Sequence, residues 1–281
     1  MLVNMKEMLS DAQKRKYAVG LFNTIDSDAI EGAIAAAEEL RSPIIIGTAE
    51  VLLPYGELQL IGPSMINMAK KASVPVAVHY DHGLTFERCM EALHLGFSSV
   101  MYDCSTDSYE DNVKRVAEMT KIAHSFGATV EGELGHVGDN KGSEEGESHL
   151  DDPSKFYTDP KMAKDFADRT NIDALAIAIG TAHGTYKTTP KLDIERLCEI
   201  RSTIPTPLVL HGGSGLSNED FKNCINGGIT KVNIFTDVYV AAREAIVNAS
   251  GNYHDIRDAK VLAIKEAVMK KMMLFESNGK A

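Results

Sequence analysis

The feature that most constrains the fold is a series of short apolar runs, each followed by turn residues and then by a longer stretch with helical spacing. Runs that are apolar at nearly every position are typical of strands buried on both faces, and their alternation with helices of about 10 to 15 residues indicates parallel βαβ units. The eight runs occupy residues 17–22, 42–48, 74–80, 98–103, 128–134, 173–180, 206–212 and 231–236. Eight such units predict an α/β fold, a (β/α)8 TIM barrel.

The chain length permits one large domain or two small ones, and no composition shift or linker marks a second domain. A barrel of this type takes about 250 residues, and the chain has 281. A doubly wound sheet is the alternative, but no GxGxxG motif follows the first run. We therefore predict a single barrel over residues 1–281, with a mobile acidic, glycine-rich loop at 138–155 and an amphipathic C-terminal helix at 258–276.

Composition argues against several functional classes. A net charge of -11 would repel nucleic acids and anionic membranes. The four cysteines form no CxxC pair, which argues against a disulfide framework or a thiolate zinc site. The N-terminus lacks the apolar core of a signal peptide, and no window reaches the roughly 18 apolar residues of a membrane span. We expect a cytoplasmic protein that binds neither nucleic acid nor membrane.

Polar residues stand at the ends of nearly all the predicted strands, where a TIM barrel carries its active site. These residues are Asn23, Thr48, Asp81, His82, Asp103, Glu133, His183, His211 and Asn233. Three of the nine histidines, His82, His183 and His211, are followed by glycine. A single buried histidine is about as often a hydrogen-bonded core residue, but three that converge from three strands match a catalytic zinc site with its fourth position open.

The neighbouring residues leave more than one interpretation open. Asp81 is either a general acid/base or a carboxylate that orients a histidine ligand. Asp103 and Glu133 are either ligands of a second metal position or members of a buried ion-pair network. The candidates for binding phosphate are glycine, hydroxyl and lysine residues in turns, where backbone N–H groups cradle an anion: Gly184, Lys187, Gly212, Gly213, Ser214 and Thr236.

Six motifs together resemble one known family. YDHG, SSVMYDCS, EGELGHVG, AIAIGTAHGTYK, PLVLHGGSG and KVNIFTD, in this order and spacing, are similar to the class II, zinc-dependent ketose-bisphosphate aldolases, especially the tagatose-bisphosphate aldolase-like branch. The resemblance covers nearly the whole chain. It implies a lyase of carbohydrate metabolism that cleaves a ketose (bis)phosphate reversibly to dihydroxyacetone phosphate and an aldehyde, and that forms a homodimer or homotetramer.

The resemblance also implies roles for individual residues. His82, His183 and His211 would hold the catalytic Zn²⁺, Asp81 would exchange a proton with the substrate hydroxyl at the reacting bond, and Asp103 and Glu133 would serve a second metal location. A monovalent cation near the phosphate is a further implied cofactor. The implied substrate-binding set comprises Asn23, Gly184, Lys187, Gly212, Gly213, Ser214, Asn233 and Thr236.

Three departures from the family pattern bear on substrate and mechanism. The family takes its enolising base from a loop whose sequence differs here, and Glu144 or Glu145 is the expected base. Phe235 stands where fructose-bisphosphate aldolases have aspartate, and Arg257 is only the nearest candidate for the arginine that grips the distal phosphate. We expect a dihydroxyacetone-phosphate-dependent aldolase whose aldehyde is not glyceraldehyde 3-phosphate.

Two competing interpretations remain. A Schiff-base aldolase needs a lysine near the carboxyl end of a strand, and Lys231 is predicted to begin its strand at the opposite face of the barrel. A non-catalytic sugar-phosphate-binding or regulatory subunit could use the same scaffold, but it has no need of Asp81 beside a metal site.

Overall fold

The computed structural model describes residues 1–139, 156–184 and 190–281. Most of the acidic loop predicted at 138–155, with Glu144 and Glu145, lies outside the described residues, and so does Lys187. Within the described ranges, no helix is long and apolar enough to cross a membrane.

Eight parallel strands close into a barrel, which confirms the predicted (β/α)8 fold. Neighbouring strands in the chain are neighbours in the barrel, and the first strand pairs with the last, as in Val19 with Lys231. The strands are β1 (Val19–Asn23), β2 (Ile44–Ala49), β3 (Val76–Gly83), β4 (Ser99–Tyr102), β5 (Thr129–Leu134), β6 (Ala174–Ile177), β7 (Leu208–Leu210) and β8 (Ile229–Ile234).

Helices surround the barrel and begin at residues that cap them well. Asp26, Thr85, Ser108 and Ser217 each accept a hydrogen bond from a backbone N–H in the first turn of the helix that follows. The helices are α1 (Met5–Arg15), α2 (Ser27–Leu40), α3 (Leu58–Lys71), α4 (Phe86–Leu95), α5 (Tyr109–Ser125), α6 (Pro160–Thr170), α7 (Ile194–Thr203), α8 (Asn218–Gly227), α9 (Thr236–Asn248) and α10 (Tyr253–Leu274).

The C-terminal helix begins five residues before its predicted start at 258. Asn252 and Asp255 form a capping box at its N-terminus, which stabilises this additional turn. The helix packs on α2 at Gly32, where a Cβ atom would lie 2.8 Å from Ile264 Cγ2, so only glycine allows the two helices to approach this closely. The helix is therefore part of the shell around the barrel.

The barrel has an apolar layer between the strands and the helices and a second apolar layer inside its lower end, which is the end where the strands begin. A polar layer lies between this inner apolar layer and the site. Outward side chains of the strands form the main core with the helices. Inward side chains near the lower end, such as Leu21 and Ala77, pack against Met5 and Leu9 of α1, which closes that end. Because successive side chains of a strand point to opposite faces, the inward series of β3 continues from Ala77 to polar residues. This series positions the site at the carboxyl ends of the strands.

Candidate active site

The three histidines predicted as metal ligands lie together. His82 is the next-to-last residue of β3, His211 follows β7, and His183 belongs to a short strand pair of Ala182–His183 with Gly138–Asp139. His82 Nε2 lies 2.7 Å from His211 Nδ1, and the His183 ring centroid is 5.0 Å from that of His82. One ligand atom from each of the three lies within 4.8 Å of the others. The three side chains could therefore bind one ion.

The protonation and charge of this cluster also fit a cation. Burial lowers the pKa of His183 to about 3, so its ring is neutral and can offer a lone pair to a metal. Burial would also lower the pKa of His82, but the surrounding carboxylates, Asp81 foremost, raise it to about 10. A site that draws a proton to this extent attracts positive charge. Three imidazole ligands with an open fourth position are typical of catalytic zinc.

A bulge in β3 explains how two adjacent residues serve one site. Adjacent residues in a regular strand point to opposite faces, yet the pairing of β3 with β4 shifts register between Tyr80 and Gly83. Within this bulge His82 has a φ of 42°, a left-handed conformation that is uncommon for a residue other than glycine. Asp81 and His82 can both face the upper end of the barrel as a result.

Asp81 is held by two amides. It is 2 % exposed, accepts a hydrogen bond from Asn23 Nδ2 at 2.7 Å, and accepts another from Asn233 Nδ2 at 3.1 Å. Burial would raise the pKa of Asp81, but nearby positive charges, His82 foremost, hold it well below its usual range. Gly47 makes room for this arrangement, because a Cβ atom there would lie 3.1 Å from Asn23 Oδ1 and 2.7 Å from a backbone oxygen.

Asp103 and Glu133 both lie near His82, but their hydrogen bonds differ. Asp103 Oδ2 accepts a hydrogen bond from His82 Nδ1 at 2.7 Å, the contact by which a carboxylate orients a metal-binding imidazole. Glu133 Oε1 accepts from Val137 N at 3.3 Å, and burial, followed by the charge of Asp103, raises the pKa of Glu133 to about 8. Together with His82 these carboxylates form a second group able to hold an ion.

Three buried polar residues below the cluster were not among the predicted site residues. Glu131 Oε1 accepts from His211 Nε2 at 2.7 Å, and His79 Nδ1 lies 2.7 Å from Ser99 Oγ. Two-residue alternation in the sequence could have revealed both, since Glu131 shares a strand face with Glu133 and His79 with Asp81.

Lys231 is the third of these residues, and its predicted position was wrong. Its strand begins at Ile229, so Lys231 lies inside the strand, and it is fully buried in the barrel. Its Nζ lies 2.8 Å from Glu131 Oε2 and donates to Asn233 Oδ1 at 2.8 Å. An ammonium group enclosed in this way has no open path to a substrate carbonyl. Burial, rather than a position at the opposite face of the barrel, therefore argues against Schiff-base chemistry at Lys231.

Several residues predicted to bind phosphate line one cavity of about 380 Å³. Gly184, Ser214 and Thr236 contribute to its wall, together with Gly215 and the first turns of α9. Within the part of the chain that the structure describes, α9 has no side-chain N-cap, and its first N–H groups are of the kind that bind anions. Its wall also carries the carboxylates of Asp237, which is paired with Lys271, and of Glu244, so the cavity offers backbone donors to an anion beside two acidic side chains.

The two other predicted glycines lie in the turn after His211. Gly212 has a φ of 65°, and a Cβ atom there would lie 2.5 Å from the carbonyl oxygen of Ala182. Gly213 would bring a Cβ atom to 3.0 Å from the carbonyl oxygen of Asn233. Gly212 thus requires glycine, and the close approach there brings the His183 segment to the His211 segment; at Gly213 a Cβ atom would need its neighbours to shift by a few tenths of an ångström.

Two residues considered for substrate preference have defined surroundings. The Phe235 ring stacks at a tilt on Tyr239, with centroids 4.6 Å apart. Arg257 Nε donates to Asp28 Oδ1 at 3.1 Å, and its guanidinium also contacts Glu31. Arg257 is thus engaged by carboxylates of α2.

The sequence as a whole matches a known family model, that of fructose-bisphosphate aldolase class-II, over residues 3–280. The chain belongs to the class-II fructose-bisphosphate aldolase family. A fructose-bisphosphate aldolase of Geobacillus stearothermophilus is 38% identical to it over 294 residues, covering 100% of this chain and 99% of the relative. The crystal structure of the YdjI aldolase from Escherichia coli K12 superposes with a TM-score of 0.90 at 35% identity and full coverage of both chains. The chain is accordingly an aldolase, a carbon–carbon lyase.

Proposed function

We propose that this aldolase is zinc-dependent and cleaves a ketose phosphate reversibly to dihydroxyacetone phosphate and an aldehyde. The observation that carries the proposal is the convergence of His82, His183 and His211 within 4.8 Å of one another, directly beside the amide-held carboxylate of Asp81. A bound zinc ion would polarise the ketone and hydroxyl oxygens of the substrate. Asp103 supports the same assignment because it orients the ring of His82.

Asp81 is proposed to move the proton at the reacting hydroxyl. In the cleavage direction its carboxylate accepts the proton of the hydroxyl next to the bond that breaks, and in the aldol direction it returns that proton to the new alkoxide. Asn23 and Asn233 hold the carboxylate through both oxygens, which fixes its orientation for the transfer. Glu144 or Glu145 is the proposed base for the C–H proton, and a monovalent cation near the phosphate remains part of the proposal.

The phosphate of dihydroxyacetone phosphate is proposed to bind in the cavity lined by Gly184, Ser214 and Thr236, with Lys187 and the turn at Gly212 and Gly213 contributing. The aldehyde is proposed to differ from glyceraldehyde 3-phosphate, in keeping with the tagatose-bisphosphate aldolase-like branch. Two observations favour this. Phe235 offers an aromatic ring in place of a carboxylate, and Arg257 is already paired with Asp28. A homodimer or homotetramer in the cytoplasm completes the proposal.

The first test follows the enolisation half-reaction, for which the aldehyde need not be known. The purified protein is incubated with dihydroxyacetone phosphate in D2O, and loss of the hydroxymethyl proton is followed by NMR. We expect exchange that a chelator abolishes and zinc restores. Absence of exchange in zinc-loaded protein would contradict the proposed donor substrate.

Two variants separate the proposed roles. Asp81→Asn should retain zinc-dependent exchange, because Asp81 is not proposed to transfer the C–H proton. The rate of carbon–carbon cleavage should fall by about 10²- to 10⁴-fold. His183→Ala should lose zinc binding and both reactions. Equal loss of exchange and cleavage in Asp81→Asn, with zinc still bound, would contradict the assigned role of this residue.

A non-catalytic sugar-phosphate-binding subunit is the alternative function. It predicts a protein that binds zinc and dihydroxyacetone phosphate yet shows neither exchange nor cleavage. The amide-held Asp81 beside the three histidines favours the catalytic proposal.

A further inference from the structure

Lys231 lies in the interior of the barrel below the candidate zinc site, in contact with two polar residues. It points inward from β8 and is fully buried. Its Nζ lies 2.8 Å from Glu131 Oε2, across the barrel on β5, and donates to Asn233 Oδ1 at 2.8 Å on its own strand. The ammonium group is therefore ion-paired with Glu131 and hydrogen-bonded to Asn233.

The Glu131 contact leads to the metal ligand His211. Glu131 Oε1 lies 2.7 Å from His211 Nε2. An ionised carboxylate can only accept hydrogen bonds, so His211 Nε2 must carry the hydrogen and Nδ1 must carry the lone pair. His211 Nδ1 is the nitrogen that faces His82 Nε2, at 2.7 Å. The tautomer that can bind a metal at this position is thus set by Glu131, and Glu131 is held by Lys231.

The Asn233 contact leads to Asp81. An ammonium group can only donate, so it holds Asn233 with Oδ1 toward Lys231 and Nδ2 toward Asp81. In this orientation Asn233 Nδ2 lies 3.1 Å and 3.2 Å from the two oxygens of Asp81. The same contact prevents the lysine chain from turning away from Glu131.

We propose that Lys231 is a positioning residue that, through Glu131, fixes the tautomer and the ring orientation of His211 for zinc binding. A buried ion pair by itself is weak evidence for stability, since apolar residues often replace one without loss. This pair differs in that each partner also fixes a group of the site. The inference rests on the proposed zinc dependence.

The test measures metal binding by the full-length protein. Zinc affinity is determined by competition with a chromophoric chelator, and the absorption spectrum of the Co²⁺-loaded protein reports ligand geometry. We expect Lys231→Met to raise the dissociation constant for zinc about 10- to 100-fold, as for other residues that support a metal ligand, and to change the cobalt spectrum. Val130→Ala is the matched control, because it lies next to Glu131 but packs on the helices, and it should retain both wild-type properties.

A double variant separates positioning from charge compensation and also covers the case in which the single variant does not fold. In Glu131→Gln/Lys231→Met no buried charge is left unpaired, so thermal stability should recover. Zinc affinity should stay reduced, because a neutral amide accepts more weakly from His211 and can also turn its NH2 group toward it. Wild-type zinc affinity and cobalt spectrum in either folded variant would overturn the inference. Failure of the wild-type protein to bind zinc would instead overturn the proposed function.

Discussion

Replacement of Gly212 by alanine tests whether the turn after His211 sets the geometry of the metal site. A Cβ atom at Gly212 would lie 2.5 Å from the carbonyl oxygen of Ala182, about 0.9 Å closer than the 3.4 Å at which ordinary contact begins. The segments that carry His183 and His211 must therefore separate by roughly that distance. Because a misplacement of about 1 Å can cost about 10²-fold in a catalytic site, we expect zinc affinity to fall by about 10- to 100-fold.

Gly127→Ala is the matched control for this variant. Gly127 has a φ of 73°, close to the 65° of Gly212, but among the described residues beyond its chain neighbours no atom lies within 4 Å of a Cβ atom built there. Gly127→Ala should lose about 1 to 2 kcal/mol of stability, because an L-residue is strained in the left-handed region. Gly212→Ala should lose more, because the contact with the Ala182 carbonyl oxygen adds to that strain. Only Gly212→Ala should lose zinc affinity and zinc-dependent exchange. Equal zinc affinity in the two variants would refute the steric argument.

Three further predictions concern neighbouring groups. Asp103→Asn should raise the zinc dissociation constant about 10- to 100-fold in a chelator competition, because His82 loses its anionic partner; unchanged affinity would contradict that contact's importance. Burial raises the pKa of Glu133 to about 8 in the folded protein, so the unfolded chain releases this proton more readily. The metal-free protein should therefore lose stability as pH rises from about 4.5 to about 8. In thermal unfolding, Glu133→Gln should lack this part of the pH dependence, and an unaltered pH dependence would contradict the raised pKa. Phe235→Ala removes the ring that packs on Tyr239. The rate of proton exchange of dihydroxyacetone phosphate should stay within a few-fold of that of the wild type, while the preference among aldehydes changes. An unchanged aldehyde preference would show that Phe235 does not determine specificity.

The barrel was predictable because strands buried on both faces are recorded directly in the sequence as apolar runs. The predicted bounds of the strands were less accurate near the site itself. The run at 173–180 contains the strand Ala174–Ile177, and the run at 206–212 contains Leu208–Leu210. At the carboxyl ends of these two strands, residues 178–180 and 211–212 belong to the predicted runs, but their backbone leaves the ladder to form turns, the second of which carries His211.

The candidate ligands could be named from the sequence, but their orientation could not. Histidine before glycine at three strand ends indicated a metal site, and these three side chains do converge. The sequence could not indicate that Asp81 and His82 face the same side, because regular alternation would separate them. The bulge and the left-handed φ of His82 resolve this, and neither feature has a signature in the residue sequence.

The buried charges of Lys231 and Glu131 were not predicted, although the two-residue alternation of side chains along a strand could have indicated them. The apolar run at 231–236 predicts that Lys231 begins its strand, yet residues two apart in a strand share a face. A lysine two positions before Asn233 must point into the barrel if Asn233 does, whatever residue begins the strand. An inward lysine needs a buried carboxylate, and the same two-residue rule applied to Glu133 supplies it in Glu131. The ion pair across the barrel therefore follows from the parity of two strands once the inward face of each is known.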